Sequence, residues 1–359
     1  GTGNTFSTGQ YRLGRFQLAD SEGFWEQTHE AIWAAGEAWA RLQTVLGSEA
    51  NNDVGSARLF CLMGTAHQRL GENFCEVMYD NGAVQPRTAA FDSAVVAFNQ
   101  AKAIGAAANA ATYITAGWGG LAQAYVGLGD WGSAVAAAAN VPTSYSIEAH
   151  YHQGANSNQV YNETWGRAEV GVWATPVQRQ YNTSVDANYV STGDPRVPYT
   201  MCGMWTDTNR PPDVTLGTQT TTVCVGKGSG AHQGAGGLTA HYRQNKYTSR
   251  GADVPTITGT EMRLIEAENA VRSGDQATFI TKVNEVRAHY GADPLSADDL
   301  LAVANGAGAL NWDNCATWAA DCDVNKIDDM WSIMDRERYM TLWIEGRRLW
   351  DLWRWNHPF

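Results

Sequence analysis

The stretch LWIEGRRLWDLWRW, Leu342 to Trp355, holds four tryptophans, three arginines and two carboxylates within fourteen residues. With Glu337 just upstream it supplies the paired acids that a glycosidase uses on either side of a scissile bond. That chemistry needs one carboxyl raised in pKa by an apolar site. Here Glu337, Glu345 and Asp351 each have arginines at helical spacing, which favour the ionised form and an ion pair. A membrane-surface helix would carry a polar face dominated by Lys and Arg. A nucleic-acid stripe would not interleave Glu and Asp with its arginines. The mixed signs therefore predict a packed helix with an internal ion-pair lattice. On it, Leu342, Gly346, Leu349, Trp350 and Trp353 share one face at helical spacing, and Gly346 admits a neighbouring backbone.

Other constellations are weaker. His150 and His152, in HYHQG, lack the spacing of a helical zinc pair. The acids of DCDVNKIDD, residues 321–329, resemble a calcium loop but lack its Gly and its closing Glu. GKGSG, residues 226–230, has no phosphate-loop spacing. No metal or cofactor is expected, and catalysis is disfavoured.

A net charge of −12 makes the chain a poor binder of phosphate backbones, so no nucleic-acid partner is expected. No apolar run reaches the roughly 18 residues of a membrane span. The chain opens at Gly1 and reads as a trimmed segment, so the absence of a signal peptide says nothing about its address. Fifteen tryptophans stand beside abundant Asn, Thr and Gly. Aromatic faces stack on the apolar faces of sugar rings, and small polar groups bond their hydroxyls. Candidate platforms should lie on loops, because aromatics on a helix face are better explained as core. These are Trp165, Trp173, Tyr189 and Trp205, then Trp312 and Trp318.

Of the six cysteines, Cys202 with Cys224 and Cys315 with Cys322 form local loop pairs that read as disulfides of an exported protein. They lack the partners of a zinc site. Cys61 lies within a predicted helix and Cys75 just beyond its end, about 20 Å apart and too far to bridge unless the chain doubles back. Cys61 is expected to be a buried thiol, and the partner of Cys75 is open.

The elements that must position these residues are mostly helical. Hydrophobic periodicity and caps predict helices over 21–46, 56–70, 88–104, 107–128 and 130–140. Trp118, Leu121, Ala122, Tyr125 and Ala134, with GLGDW as the turn, carry the spacing of a tetratricopeptide unit. Phe60, Met63, Gly64, His67, Ala94, Phe98 and Ala101 echo it, with the turn between their helices enlarged to ENFCEVMYDNGAVQPR. From 142 to about 258 the helical period vanishes. RAEVGVWAT reads as a strand, and TTTVCVGKGSG with LTAHYRQNKY reads as a hairpin or irregular sheet. Helices return at 259–272, 275–290 and 297–304, then as one long helix from 326 toward 355.

These residues resemble the SusD/RagB family. MDRERYMTLWIEGRRLWDLWRW carries that family's C-terminal pattern through Glu337, Arg338, Leu342, Glu345, Gly346, Arg348, Asp351, Leu352 and Arg354. Pro255, Glu261, Leu264, Ile265, Ala267 and Glu268 match a preceding segment, Asn284 and Arg287 another, and Asp194-Pro195-Arg196 a short middle motif. Thr341 departs from the pattern, where the family has Glu.

The resemblance implies a mostly α fold: a scaffold of tetratricopeptide-like hairpins with a loop-rich insert of minor β structure. It implies one SusD-like domain over 1–359, divided into helices at 21–141, an insert at 142–257 and C-terminal helices at 258–359. It implies a non-enzymatic, lipid-anchored protein on the outer face of the outer membrane, with the anchor outside this chain. Such a protein captures oligosaccharide fragments for a SusC-like TonB-dependent transporter. The loop Asn73–Arg87 is implied as part of the binding surface, with Tyr79, Asp80 and Asn81 as its members expected to be exposed. A peptide ligand remains an alternative, as does a self-associating surface or filament protein on the same fold.

Overall fold

The computed structural model describes residues 18–166, 194–201, 242–297 and 329–355. It divides into two compact units, the first ending at Val141 and the second starting at Pro142.

The first unit is a run of antiparallel helices: α1 (Leu18–Leu46), α2 (Val54–Asn73), α3 (Thr88–Ala107), α4 (Ala111–Leu128) and α5 (Trp131–Ala138). Local chemistry sets their ends. Asp53 caps α2 by accepting from the Ser56 amide at 2.7 Å. Gly129, with φ 74°, ends α4 in the left-handed conformation, and Asp130 caps α5 through Ser133. The boundary expected near 104–107 falls slightly later, where Asn109 takes a φ of 52° between α3 and α4.

Small residues let these helices approach closely. On α3, Phe91 and Phe98 are two turns apart and fully buried. Each ring sits between a pair of glycines, Phe98 against Gly64 and Gly120 and Phe91 against Gly71 and Gly127. The glycines of α2 and those of α4 share the same seven-residue spacing, so two rings fit two glycine holes on each neighbour. A Cβ at Gly64 or Gly71 would come within 2.9 or 2.8 Å of its ring. The enlarged turn between α2 and α3 is a short hairpin, β1 (Glu76–Val77) paired antiparallel with β2 (Gln85–Pro86).

In the second unit, β3 (Ser146–Ala149) pairs antiparallel with β6 (Val254–Thr258), with a register shift between Ile147 and Glu148. The described part of the predicted second strand, β5 (Tyr242–Gln244), pairs with β4 (Tyr199–Met201), directly after the Asp-Pro-Arg motif. RAEVGVWAT, TTTVCVGKGSG and most of the helix expected at 297–304 lie outside the described residues. β6 runs straight into α6 (Gly259–Ser273), capped by Thr258. A left-handed Gly274 then turns the chain into α7 (Gln276–Tyr290), capped by Asp275. Leu264, Val271, Phe279, Val283 and Val286 from this hairpin pack with Ile333 and Met334 of α8 (Asp329–Thr341) in one core.

The single long C-terminal helix is not formed. α8 stops at Thr341, and a new helix, α9, covers Arg348–Arg354. Ile344 at φ 54° and Gly346 at φ 77° make the break. The expected common face is lost with it: Leu342 and Trp350 are buried, whereas Leu349 and Trp353 are exposed. Nothing lies near a Cβ built at Gly346, so that glycine serves its positive φ and not a close approach. Two ion pairs account for the reversal. Arg348 meets Asp335, and Arg338 meets Asp351 at 2.8 Å. Both pairs join residues thirteen apart, which a continuous helix would hold about 20 Å from each other.

Gly120→Ala tests the glycine holes. Helix propensity alone favours Ala by about 1 kcal/mol, but the added methyl overlaps the Phe98 ring. Overpacking of this kind costs roughly 1–3 kcal/mol. Thermal unfolding should show a net loss of stability, and a stabilised variant would contradict the packing described.

Candidate functional site

Two polar regions stand out, one in each unit. In the second unit the C-terminal acids are closed into ion pairs. Glu337 is fully buried, with Arg196 on one oxygen and Arg287 at 2.5 Å on the other. These guanidiniums outweigh the cost of burial and hold its carboxyl down to about 2. Arg196 is itself gripped by Asp194 at 2.6 Å and bonds the Thr341 hydroxyl at 3.3 Å. Thr341, where the sequence departs from the family pattern, is thus part of the lattice. Asp351 lies between Arg338 and Arg354 and is also lowered, the guanidiniums overcoming burial. Glu268 takes Arg354 and the Trp355 indole N–H, and Glu261 takes Arg347. The expected lattice is present, but its bonds run between elements more than along one helix.

Glu345 departs from that expectation. Its partner is Lys246, 2.5 Å away and distant in sequence, and burial raises its carboxyl despite the ammonium. Its raised pKa belongs to an enclosed ion pair; Lys246 also donates to the Trp343 carbonyl at 3.0 Å.

Trp165 is likewise committed to structure. Its indole N–H donates to the Gln244 carbonyl at 2.9 Å, Tyr161 stacks on it at 5.5 Å, and the Arg243 guanidinium lies 3.5 Å over its ring. Trp173, Tyr189, Trp205, Trp312, Trp318 and the cysteines Cys202, Cys224, Cys315 and Cys322 lie outside the described residues. Cys61 is a buried thiol pushed up to about 12 by burial. Cys75 is exposed and unbridged, with the Arg87 guanidinium 3.0 Å from its sulfur. Among the described residues no group of three or more His, Cys, Asp or Glu is placed to hold a metal ion.

The polar region of the first unit is the tip of the β1–β2 hairpin. Asp80 and Asn81 have φ of 51° and 56°, and the Gly82 amide closes the turn on the Tyr79 carbonyl at 2.8 Å. This tight turn suits Asp and Asn, which tolerate the left-handed region. Both side chains are exposed at its apex. Tyr79 is their anchor. Its ring is half-buried between His29 at 5.7 Å and His67 at 5.4 Å, and its hydroxyl shares a 3.0 Å hydrogen bond with the His67 Nδ1. Trp25 packs edge-on to Phe74 at 4.8 Å and against His29 at 4.4 Å, while Phe24 stacks on Phe74 and is 42% exposed. The result is an aromatic nest beside an exposed carboxylate and amide.

Sequence reasoning placed the tip on the loop and His67 in the helical repeat, and its rule that aromatics on a helix face are core passed over Trp25. The pair Trp25 and His29, one turn apart on α1, was the available signal. Burial lowers both imidazoles, His67 to about 4 with His29 adding to the effect, and His29 with Asp80 opposing. Burial also raises the Tyr79 phenol, with Ser93 opposing.

Two predictions follow from these geometries. A histidine lowered in the folded state contributes fully above its ordinary range near 6.5, and that contribution is lost as pH falls toward 4. The unfolding free energy should therefore drop by roughly 3 kcal/mol more between pH 7 and 4 in the native chain than in His67→Gln. Parallel pH profiles in urea titrations would exclude this role. Glu337→Ala, which strands two arginines in the second unit, should cost about 3–5 kcal/mol in the same assay.

Comparison with known proteins agrees with this architecture. Residues 142–359 match the SusD family. A SusD-like protein from Bacteroides fragilis superposes with a TM-score of 0.55 at 12% identity, covering 91% of this chain and 75% of that one. A SusD superfamily protein from Bacteroides vulgatus gives 0.53 at 12% identity, covering 94% and 75%. At such identity these likenesses speak for the fold alone, and no curated protein matches the sequence. The family match spans more than half of the chain and includes every residue of the ion-pair lattice, so the chain belongs to the SusD family.

Proposed function

We propose that this chain is a non-catalytic capture protein for oligosaccharide, working on the outer face of an outer membrane and passing its ligand to a SusC-like TonB-dependent transporter. Lipid anchorage through a segment outside the chain belongs to the same reading. Family membership supports it. The observation that carries it is the hairpin tip, where exposed Asp80 and Asn81 follow Tyr79, whose ring meets His29 and, through it, Trp25, Phe74 and the exposed Phe24. Rings in such a nest offer an apolar face to a sugar, and the carboxylate and amide offer hydrogen bonds to its hydroxyls. Tyr79 acts here as the clamp that fixes the turn.

A non-catalytic role accords with the state of the second unit's acids. Glu337 and Asp351 are ionised and closed by arginines, the reverse of what a general acid requires. Among the described residues no helix is long and apolar enough to cross a membrane.

An oligosaccharide array read by titration calorimetry tests the reading. Saturable binding should weaken about tenfold in Asp80→Ala and in Asn81→Ala, with unfolding temperatures only slightly lowered, because both side chains are exposed but Ala tolerates the left-handed turn less well than Asp or Asn. Retained affinity in both variants would move the site away from the tip. Silence across the array, with polymers growing with concentration in sedimentation, would favour the self-associating alternative, and silence with peptide binding the other.

A further inference from the structure

The charge around the hairpin tip is one-sided. Glu22, Glu26 and Glu30 lie one turn apart along the exposed face of α1, the helix that supplies Trp25 and His29 to the nest. Glu76 and Asp80 are exposed on the hairpin itself. None of the five forms an ion pair among the described residues, and like charges at such spacing on a helix repel. Among the described residues the nearby cations are Arg69, which closes on Glu72 at 2.5 Å, and Arg87, which lies across the hairpin against the Cys75 sulfur and offsets one of the five charges. Arg41 is eleven residues past Glu30 on α1, about 16 Å along the helix. Arg58 is nine residues before His67 on α2, about 14 Å away. The two imidazoles within the nest are neutral at neutral pH and add no positive charge.

Resting on the glycan reading of the tip, we propose that the site selects by charge: it takes uncharged or amine-bearing sugar chains and rejects those carrying uronate or sulfate. Among the described residues the tip itself presents the Asp80 carboxylate and the Asn81 amide, and no cation to meet an acidic sugar. In water a carboxylate about 10 Å from an anionic group disfavours it about twofold before screening. Several carboxylates acting together give a discrimination of roughly tenfold or more at low salt, and this fades as salt is raised. A neutral chain is untouched by the same field. An amine-bearing chain gains from it.

The test compares three probes on the purified chain by calorimetry at low and high salt: a neutral β-glucan oligosaccharide, a partly deacetylated chitin oligosaccharide and oligogalacturonate. The native chain should bind the first independently of salt and the second more tightly at low salt, and should bind the third at least tenfold more weakly than the first. Glu26→Gln with Glu76→Gln removes field without touching Asp80 or Asn81. This double variant should bring oligogalacturonate about fourfold closer to the neutral probe at low salt. The remote pair Glu37→Gln with Glu49→Gln carries the same change in net charge and should leave the ratio unchanged. Galacturonate binding equal to or tighter than the neutral probe overturns the charge selection while leaving the glycan reading in place. Equal effects of the near and remote pairs overturn its assignment to the tip. Silence toward all three probes overturns the glycan reading and this inference with it.

Discussion

A carboxylate with no access to water is costly unless cations replace the water it has lost, and Glu337 is the centre around which the second unit answers that cost. Its guanidinium partners come from far along the chain, Arg196 beside β4 and Arg287 on α7. The next residue, Arg338, points to a different set of partners, Asp351 on α9 and Glu261 on α6. Two adjacent residues of opposite sign thus tie α8 to four other segments. Removing either partner would leave its counterpart buried and uncompensated, so the pairs act as a register lock more than as a source of net stability. The break after Thr341 belongs to the same logic. Ile344 bears a left-handed φ that a β-branched residue resists. The pairs Asp335–Arg348 and Arg338–Asp351 exist only if the chain reverses there.

That dependence explains what the sequence did and did not reveal. The helical hairpins were legible because their signals are local. Asp53, Asp130, Thr258 and Asp275 cap the helices they precede, and Gly129 and Gly274 end the ones they follow. The mixed charges of residues 335–354 announced an ion-pair lattice, and it is there. Its geometry was not legible, since helical spacing predicted pairs along one continuous helix and tertiary pairs replaced them. Lys246 as the partner of Glu345 had no local signal at all, because it lies 99 residues away. The hairpin tip was legible as a loop with turn-forming Asp and Asn. The nest beside it joins α1, α2 and the hairpin, and no single window of sequence spans those three.

The two units solve packing by different means, and the difference bears on function. In the first, shape dominates: Phe91 and Phe98 fill glycine holes, and the hairpin is pinned by rings and neutral imidazoles. Such contacts make no demand on nearby carboxylates, so Glu26, Glu76 and Asp80 stay in water with no ion pair among the described residues. In the second, charge dominates, and the buried carboxylates Glu261, Glu268, Glu337, Glu345 and Asp351 each meet a cation. A carboxylate closed by a guanidinium is held away from proton transfer and from a sugar hydroxyl alike. The residues that identify the family are therefore those least able to touch a ligand, while exposed Asp80 and Asn81 remain available to one. On the proposed reading, recognition of the family and recognition of the ligand are written in different residues, because burial and binding make opposite demands on the same chemical groups.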